Sequence, residues 1–281
     1  MGKSKNKPPL RVRWKTMEAA IGMEIREHKG SFAVYVVLRV LVIAVAVLKF
    51  FNGDYEAVFL CILTLLLLLA PAFVQVRFRI ELPSALEVIV LVFVFAAEIL
   101  GEISSFYEIF PFWDTVLHTM NGFLAAAIGF SLVDLLNRSD RVKFELSPLY
   151  LAIVSFCFSM TIGVVWEFFE FSMDMLFGFD MQKDAVVHSI SSVMLDPAHA
   201  NHAVHINDIT QVAVNGRDLG LGGYLDIGLI DTMEDLIVNF IGAVVFSVIG
   251  FIYVKNRGKG VSVISRFVPR RKSHDRDYLR L

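Results

Sequence analysis

The sequence predicts an all-α, polytopic transmembrane helical bundle of about six spans, with the N- and C-termini cytoplasmic. Three observations predict it. Of 281 residues, 56% are hydrophobic, and the mean hydropathy is +0.62, where soluble domains hold roughly 45–50% apolar residues. Those residues fall into blocks near the ~20 that cross a hydrocarbon core, rather than spreading at helix or strand period. The charges are sorted by position, with basic residues at the two ends and in alternate loops. A net charge of -2 says nothing until that sorting is considered.

The elements follow in chain order. Residues 1–30 form a basic cytoplasmic segment. Within it Trp14, Met17, Ile21 and Ile25 recur at i, i+3, i+7 and i+11 among Arg11, Arg13, Lys15 and Arg26. This spacing predicts an amphipathic helix lying on an anionic leaflet. The apolar runs 32–51, 55–74, 83–100, 112–136, 148–171 and 229–254 predict the six spans. The first run is as long as a full span and no small-residue cleavage site follows it, so it reads as an uncleaved helix. The membrane domain thus covers 31–255, with a long outer loop at 175–228, and residues 256–281 form a basic cytoplasmic tail. Ile209 to Val214 followed by Asn215-Gly216 predicts a small hairpin in that loop.

Orientation rests on the cations. With the N-terminus inside, 22 of the 26 Lys and Arg fall on cytoplasmic segments, while 18 of the 28 acids fall on or near the outer side. The short loops alone satisfy the positive-inside rule. The expected location is the plasma or inner membrane, multi-pass. The expected partners are the bilayer and, at the basic tails, anionic lipid rather than nucleic acid. Nothing in the sequence sets an oligomeric state.

Two charges are expected inside the bilayer near the cytoplasmic side. Arg39 lies about seven residues into the first span and Glu87 about four into the third. An unpaired charge there costs roughly 2.5 kcal/mol or more, so a structural Arg39–Glu87 ion pair is expected. Cys61 and Cys157 are too few for a disulfide framework or a thiolate metal site and read as small buried hydrophobes.

The polar residues of the last three spans are the candidate site. Asp114 and His118 share a helix face that continues through Asn121 and Gly122. Glu167, Glu170 and Asp174 stand at i, i+3 and i+7, and Asp231, Asp235, Asn239 and Gly242 form another stripe. In six-span topology all three stripes lie at the outer ends of helices. Carboxylates, an imidazole and an amide at that depth face one another or a wet cavity rather than lipid. Such a group must hold protons or bind a cation, a divalent metal ion among them. Asp114, Asp231 and Glu234 also sit near helix N-termini, where acids serve as caps. In the loop, His199, His202 and His205 at i, i+3 and i+6 form a second, weaker metal candidate beside Asp196 and Asp208.

The order D-x-x-x-H, W-E-x-x-E and D-x-x-x-D-x-x-x-N-x-x-G, together with Phe106-Tyr107 and Asp231-Thr232-Met233, resembles the YjdF family of bacterial membrane proteins over about residues 30–255. Asp114/His118, Glu167 and Asp235/Asn239/Gly242 are more distantly similar to the VanZ-like family. That family usually carries Gln where this chain has Glu170, and its association with glycopeptide-antibiotic resistance implies a cell-envelope role. There is no Gly-rich phosphate loop, nucleophile elbow or H-E-x-x-H. Three function classes stay open. The first is a metal- or proton-dependent site acting on envelope or lipid-linked substrates, the second a proton- or cation-coupled transporter, the third a non-catalytic structural or partner-binding module. No span shows the Gly- or Pro-broken pattern of a midplane site and no internal repeat is visible, which argues against transport.

Overall fold

The computed structural model describes residues 10–27, 29–78, 80–137, 146–256, 270–272 and 277. The basic loop 138–145 and most of the C-terminal tail lie outside them, as do the cations there that the orientation argument uses. Among the described residues there are nine α-helices: α1 Leu10–Glu27, α2 Lys29–Phe51, α3 Tyr55–Leu67, α4 Ala70–Phe78, α5 Ser84–Phe95, α6 Phe106–Ile109, α7 Trp113–Asn137, α8 Pro148–Phe177 and α9 Leu229–Lys255. A π-helix, Ala96–Ile103, continues α5. Short strands among the described residues pair two by two: β1 (Ile80–Glu81) with β8 (Arg270–Arg271), β2 (Val186–Val187) with β7 (Tyr224–Leu225), β3 (Ile190–Ser192) with β4 (Val204–Ile206), and β5 (Ala213–Val214) with β6 (Arg217–Asp218).

Among the described residues six stretches are long and apolar enough to cross a membrane: Lys29–Phe51, Tyr55–Phe78, Ser84–Ile103, Trp113–Asp134, Pro148–Phe177 and Leu229–Lys255. Their outward faces carry Val37, Leu48, Phe59, Leu66, Phe168 and Ile237, all exposed. A soluble fold would cover side chains of this size, and lipid is their natural surrounding.

Two expectations about the spans change. The second span is not one helix. It breaks at Leu68–Leu69, between α3 and α4, because Pro71 has no N–H with which to continue the i→i−4 ladder. Phe73 resumes it by donating to the Leu69 carbonyl. The third span changes pitch at Ala96 into the π-helix, where a Cβ on Gly101 would stand 2.4 Å from the Tyr107 ring. Broken geometry is therefore present, contrary to the sequence-based expectation.

The chain divides into two compact units, Met1–Met160 with Val238–Leu281, and Thr161–Ile237. In the first, one core gathers Ile80, Leu86, Leu124, Phe130, Leu151 and Phe246, and a second gathers Leu38, Val42, Cys61, Leu68, Leu91 and Ile99. Cys61 is buried as expected, whereas Cys157 is exposed on α8. α2 turns into α3 through Gly53, at φ 76°. Asp54 caps α3 by accepting from Ala57 N at 3.1 Å and pairs with Lys49 at 2.8 Å. The Lys49 ammonium, then the Ala57 amide, hold its carboxyl below the usual carboxylate range.

Arg39 and Glu87 each take other partners than the expected pair. Arg39 Nη1 donates to Tyr35 Oη at 2.6 Å and to the Leu65 carbonyl at 3.4 Å. Tyr35 is one turn back on the same face, so a neutral phenol oxygen lies within the guanidinium's reach. Gln75 of α4 donates to Glu87 at 3.4 Å while its own Oε1 accepts from Leu82 N at 2.8 Å.

α1 forms where the amphipathic spacing places a helix. Ala20 and Glu24 are buried and Met17, Ile21 and Ile25 half-buried, and α1 packs on α4.

Candidate functional site

In the Thr161–Ile237 unit, the last turns of α8 bring Glu167 and Glu170 onto one face at i, i+3 spacing. α9 presents Asp235 from its second turn. All three carboxylates are buried, with relative exposures of 5%, 7% and 4%. One oxygen from each lies within 4.8 Å of the others. Trp166, one residue before Glu167, donates Nε1–H to Glu170 Oε1 at 2.9 Å and fixes that rotamer. The W-E-x-x-E run thus holds an acid and its positioning indole together, a role the sequence reading did not assign to Trp166.

The loop is tied to the helix ends by other acids. Both oxygens of Asp174 accept backbone amides, from Met181 at 2.7 Å and Gln182 at 2.9 Å. Gln182 Nε2 reaches Thr232 Oγ1 at 2.5 Å, and Lys183 N donates to Asp231 Oδ2 at 2.9 Å. The residue that caps α9 is Asp226, which accepts from Ile230 N at 3.0 Å. Asp231 therefore anchors the loop, and Gln182 and Lys183, which carried no periodic or motif signal, are its partners. Asp184 stands in an acidic rim: burial first, then Asp180, Asp226 and Asp174, push its carboxyl above the usual range.

In the other unit, Asp114 Oδ1 lies 3.5 Å from His118 Nε2, one turn apart on α7. One turn further, Asn121 Nδ2 donates to Asn239 Oδ1 at 3.4 Å, and Asn239 Nδ2 reaches Met160 Sδ at 3.7 Å. Asn239 is 1% exposed. Its place in the polar stripe is explained by helix packing. A Cβ on Gly122 would lie 2.1 Å from the Asn239 carbonyl oxygen, and one on Gly242 would lie 2.0 Å from that of Thr119. Here α7 and α9 touch backbone to backbone, and Ser159 and Ser155 of α8 bind the Gly122 and Ala126 carbonyls at 2.7 and 2.6 Å.

The loop histidines do not converge. Among the described residues no ligand group contains His199, His202 or His205. His205 Nδ1 is 2.6 Å from Ser191 Oγ across the β3–β4 pair, and His199 turns in the left-handed region at φ 51°. Asp196 takes the local organising role instead, accepting from Ala198, Ala200 and His202 amides at 3.0, 2.8 and 3.2 Å. The expected hairpin is present, shortened to β5 and β6, with Asn215 and Gly216 at φ 52° and 79° forming its turn.

The His202 amide first, then Ala198, hold the Asp196 carboxyl below its ordinary value. A lowered folded pKa contributes stability that is present above the unfolded value of about 3.9 and is lost as pH falls through the folded value. Hydrogen exchange should show amides 198, 200 and 202 protected at neutral pH, with protection falling in acid. Asp196→Ala should remove it at neutral pH too and leave the spanning helices unchanged. Equal protection in the variant would refute this role.

The chain belongs to the family of predicted membrane proteins DUF2238, whose model matches residues 33–256. Comparison with curated proteins and with solved structures gives no match. The matched segment begins four residues into the first span and runs past the end of α9, so it contains the other five spans whole and every residue of the acidic centre.

Proposed function

We propose that Glu167, Glu170 and Asp235 form a centre that holds a divalent cation, or protons in its place, at the outer end of the bundle, and that it serves an envelope or lipid-linked substrate. The observation that carries this reading is the approach of three buried carboxylates to within 4.8 Å. At that separation each like-charged pair costs about 3 kcal/mol at an effective dielectric near 20. A cation whose metal–oxygen bonds are about 2.1–2.5 Å takes ligand oxygens no more than about 5 Å apart. All-oxygen donors favour Mg2+, Ca2+ or Mn2+ over thiophilic metals. A bound ion would supply Lewis acidity or an activated water. The protein's part is to position the acids: Trp166 fixes Glu170, and the Asp174 and Asp231 anchors set the loop beside them. The more distant resemblance to VanZ-like proteins is what suggests an envelope role. A second reading, cation- or proton-coupled transport, is favoured by the break between α3 and α4 and the π-helix after α5.

Equilibrium dialysis of the detergent-purified chain against Mg2+, Ca2+ or Mn2+ tests the centre. Wild type should bind near one ion per chain, and Glu167→Gln or Asp235→Asn should weaken binding at least tenfold. Unaltered binding in both variants would remove these residues from the site.

The outer placement has its own test. Cysteine accessibility in intact cells should label position 201 from outside and positions 143 and 271 only after the membrane is opened. A cytoplasmic position 201 would overturn the envelope reading, since the loop and the helix ends it anchors would then face inward.

A further inference from the structure

In the unit that holds both chain ends, two contacts join segments far apart in sequence. Lys272 forms a buried ion pair with Glu24 of α1, at relative exposures of 8% and 2%. Immediately before it, β8 pairs antiparallel with β1 in a defined register, Ile80 with Arg271 and Glu81 with Arg270. β1 is itself fixed: Ile80 and Leu82 are core residues, and Leu82 N is held by Gln75 of α4. α1 packs on that same α4.

We infer that residues 270–272 are a strap that clamps α1 onto the corner between α4 and α5, with the Glu24–Lys272 pair as its lock. Desolvating a lone lysine or glutamate costs several kcal/mol, so neither side chain is stable at this depth without its partner. Two residues of ladder would not hold a chain end alone, because an isolated hairpin is marginal even when longer. The pair and the ladder each supply what the other lacks. The ladder sets the register that delivers Lys272 to Glu24, and the ion pair keeps the ladder closed. The strap also decides where α1 can lie. Its buried face, Ala20 and Glu24 flanked by Met17 and Ile21, serves one partner at a time. A closed strap keeps that face on α4 and away from the leaflet.

Disulfide trapping reads the strap directly. In full-length protein with Cys61 and Cys157 replaced by Ala, Glu81→Cys and Arg270→Cys place thiols at directly opposed positions, where Cβ atoms about 4.5–5.5 Å apart come within reach of a disulfide. Mild oxidation in membranes should close this bond in most molecules, read by mass spectrometry of the linked peptides. Adding Lys272→Met should slow closure at least fivefold. Adding Glu24→Gln with Lys272→Met, which removes both charges of the pair, should slow it as much while the protein stays folded in detergent. The exchanged pair, Glu24→Lys with Lys272→Glu, should recover part of the rate. Failure of the parent pair to crosslink would overturn the strap. An unchanged rate in the doubly neutral variant would overturn its lock.

Discussion

Gly242→Val should abolish folded protein in the membrane, and Gly122→Val should do the same. The added Cβ meets a carbonyl oxygen at 2.0 Å in one case and 2.1 Å in the other, and in both the obstructing atom is backbone. A flexible side chain could swing aside, whereas a helix carbonyl moves only if its helix moves. Parting α7 from α9 would also stretch the Asn121–Asn239 bond, 3.4 Å long, and loosen Phe246 against Phe123 and Phe130 in the core. Overpacking an ordinary core costs about 1–3 kcal/mol, and a backbone obstruction lies at or above the upper end of that range. Folded bundles also lack a hydrophobic driving force between spans, so close van der Waals contact is a large share of what holds them. Gly242→Ala should fall in the same direction, since the first carbon already collides. Gly22→Ala and Gly30→Ala meet nothing within 4 Å and are the controls. The measurement is the monodisperse fraction after detergent extraction. A wild-type profile for Gly242→Val would show that α7 and α9 do not cross as described.

The glycines show what a sequence can and cannot reveal. Gly122 and Gly242 are visible in it as members of polar stripes, and their period places them on the right helix faces. Their purpose is invisible there, because it depends on which carbonyl lies opposite. The six spans are legible because hydrocarbon thickness imposes a length that composition must satisfy. The break in the second span is less so. The apolar run passes through Pro71 without interruption, and hydropathy does not register a missing amide proton. Arg39 shows another limit. Depth alone suggested an acid as its partner, but Tyr35 one turn away is a cheaper acceptor than Glu87 two spans later. In the acidic centre, the i, i+3 spacing put Glu167 and Glu170 together, while only the fold could set Asp235 beside them. The Glu24–Lys272 contact, 248 residues apart, has no periodic signal at all.

If the acidic centre holds a cation as proposed, neutralising one member should leave the protein as stable as wild type or more so, while weakening cation binding. Glu167→Gln and Asp235→Asn keep the volume and one acceptor oxygen of each side chain, and replace the other oxygen and the charge with a neutral NH2 donor. In metal-free buffer the wild-type centre bears like-charge repulsion of about 3 kcal/mol per ionised pair, and each substitution relieves two such pairs. The apo variants should therefore unfold at or above the wild-type temperature in detergent. With saturating cation the order reverses. Binding to the folded state stabilises wild type by about 2.7 kcal/mol at a hundred times the dissociation constant, and the variants gain little of it. The crossing of the two stabilities, rather than either value alone, identifies a site. A structural network behaves differently: removing one partner strands another at a cost of about 3–5 kcal/mol, and no cation restores it. Thermal unfolding of the three proteins with EDTA and with Mn2+ separates the cases. If both variants unfold well below wild type in EDTA and remain below it by the same margin in Mn2+, the carboxylates are scaffold and the cation reading is wrong.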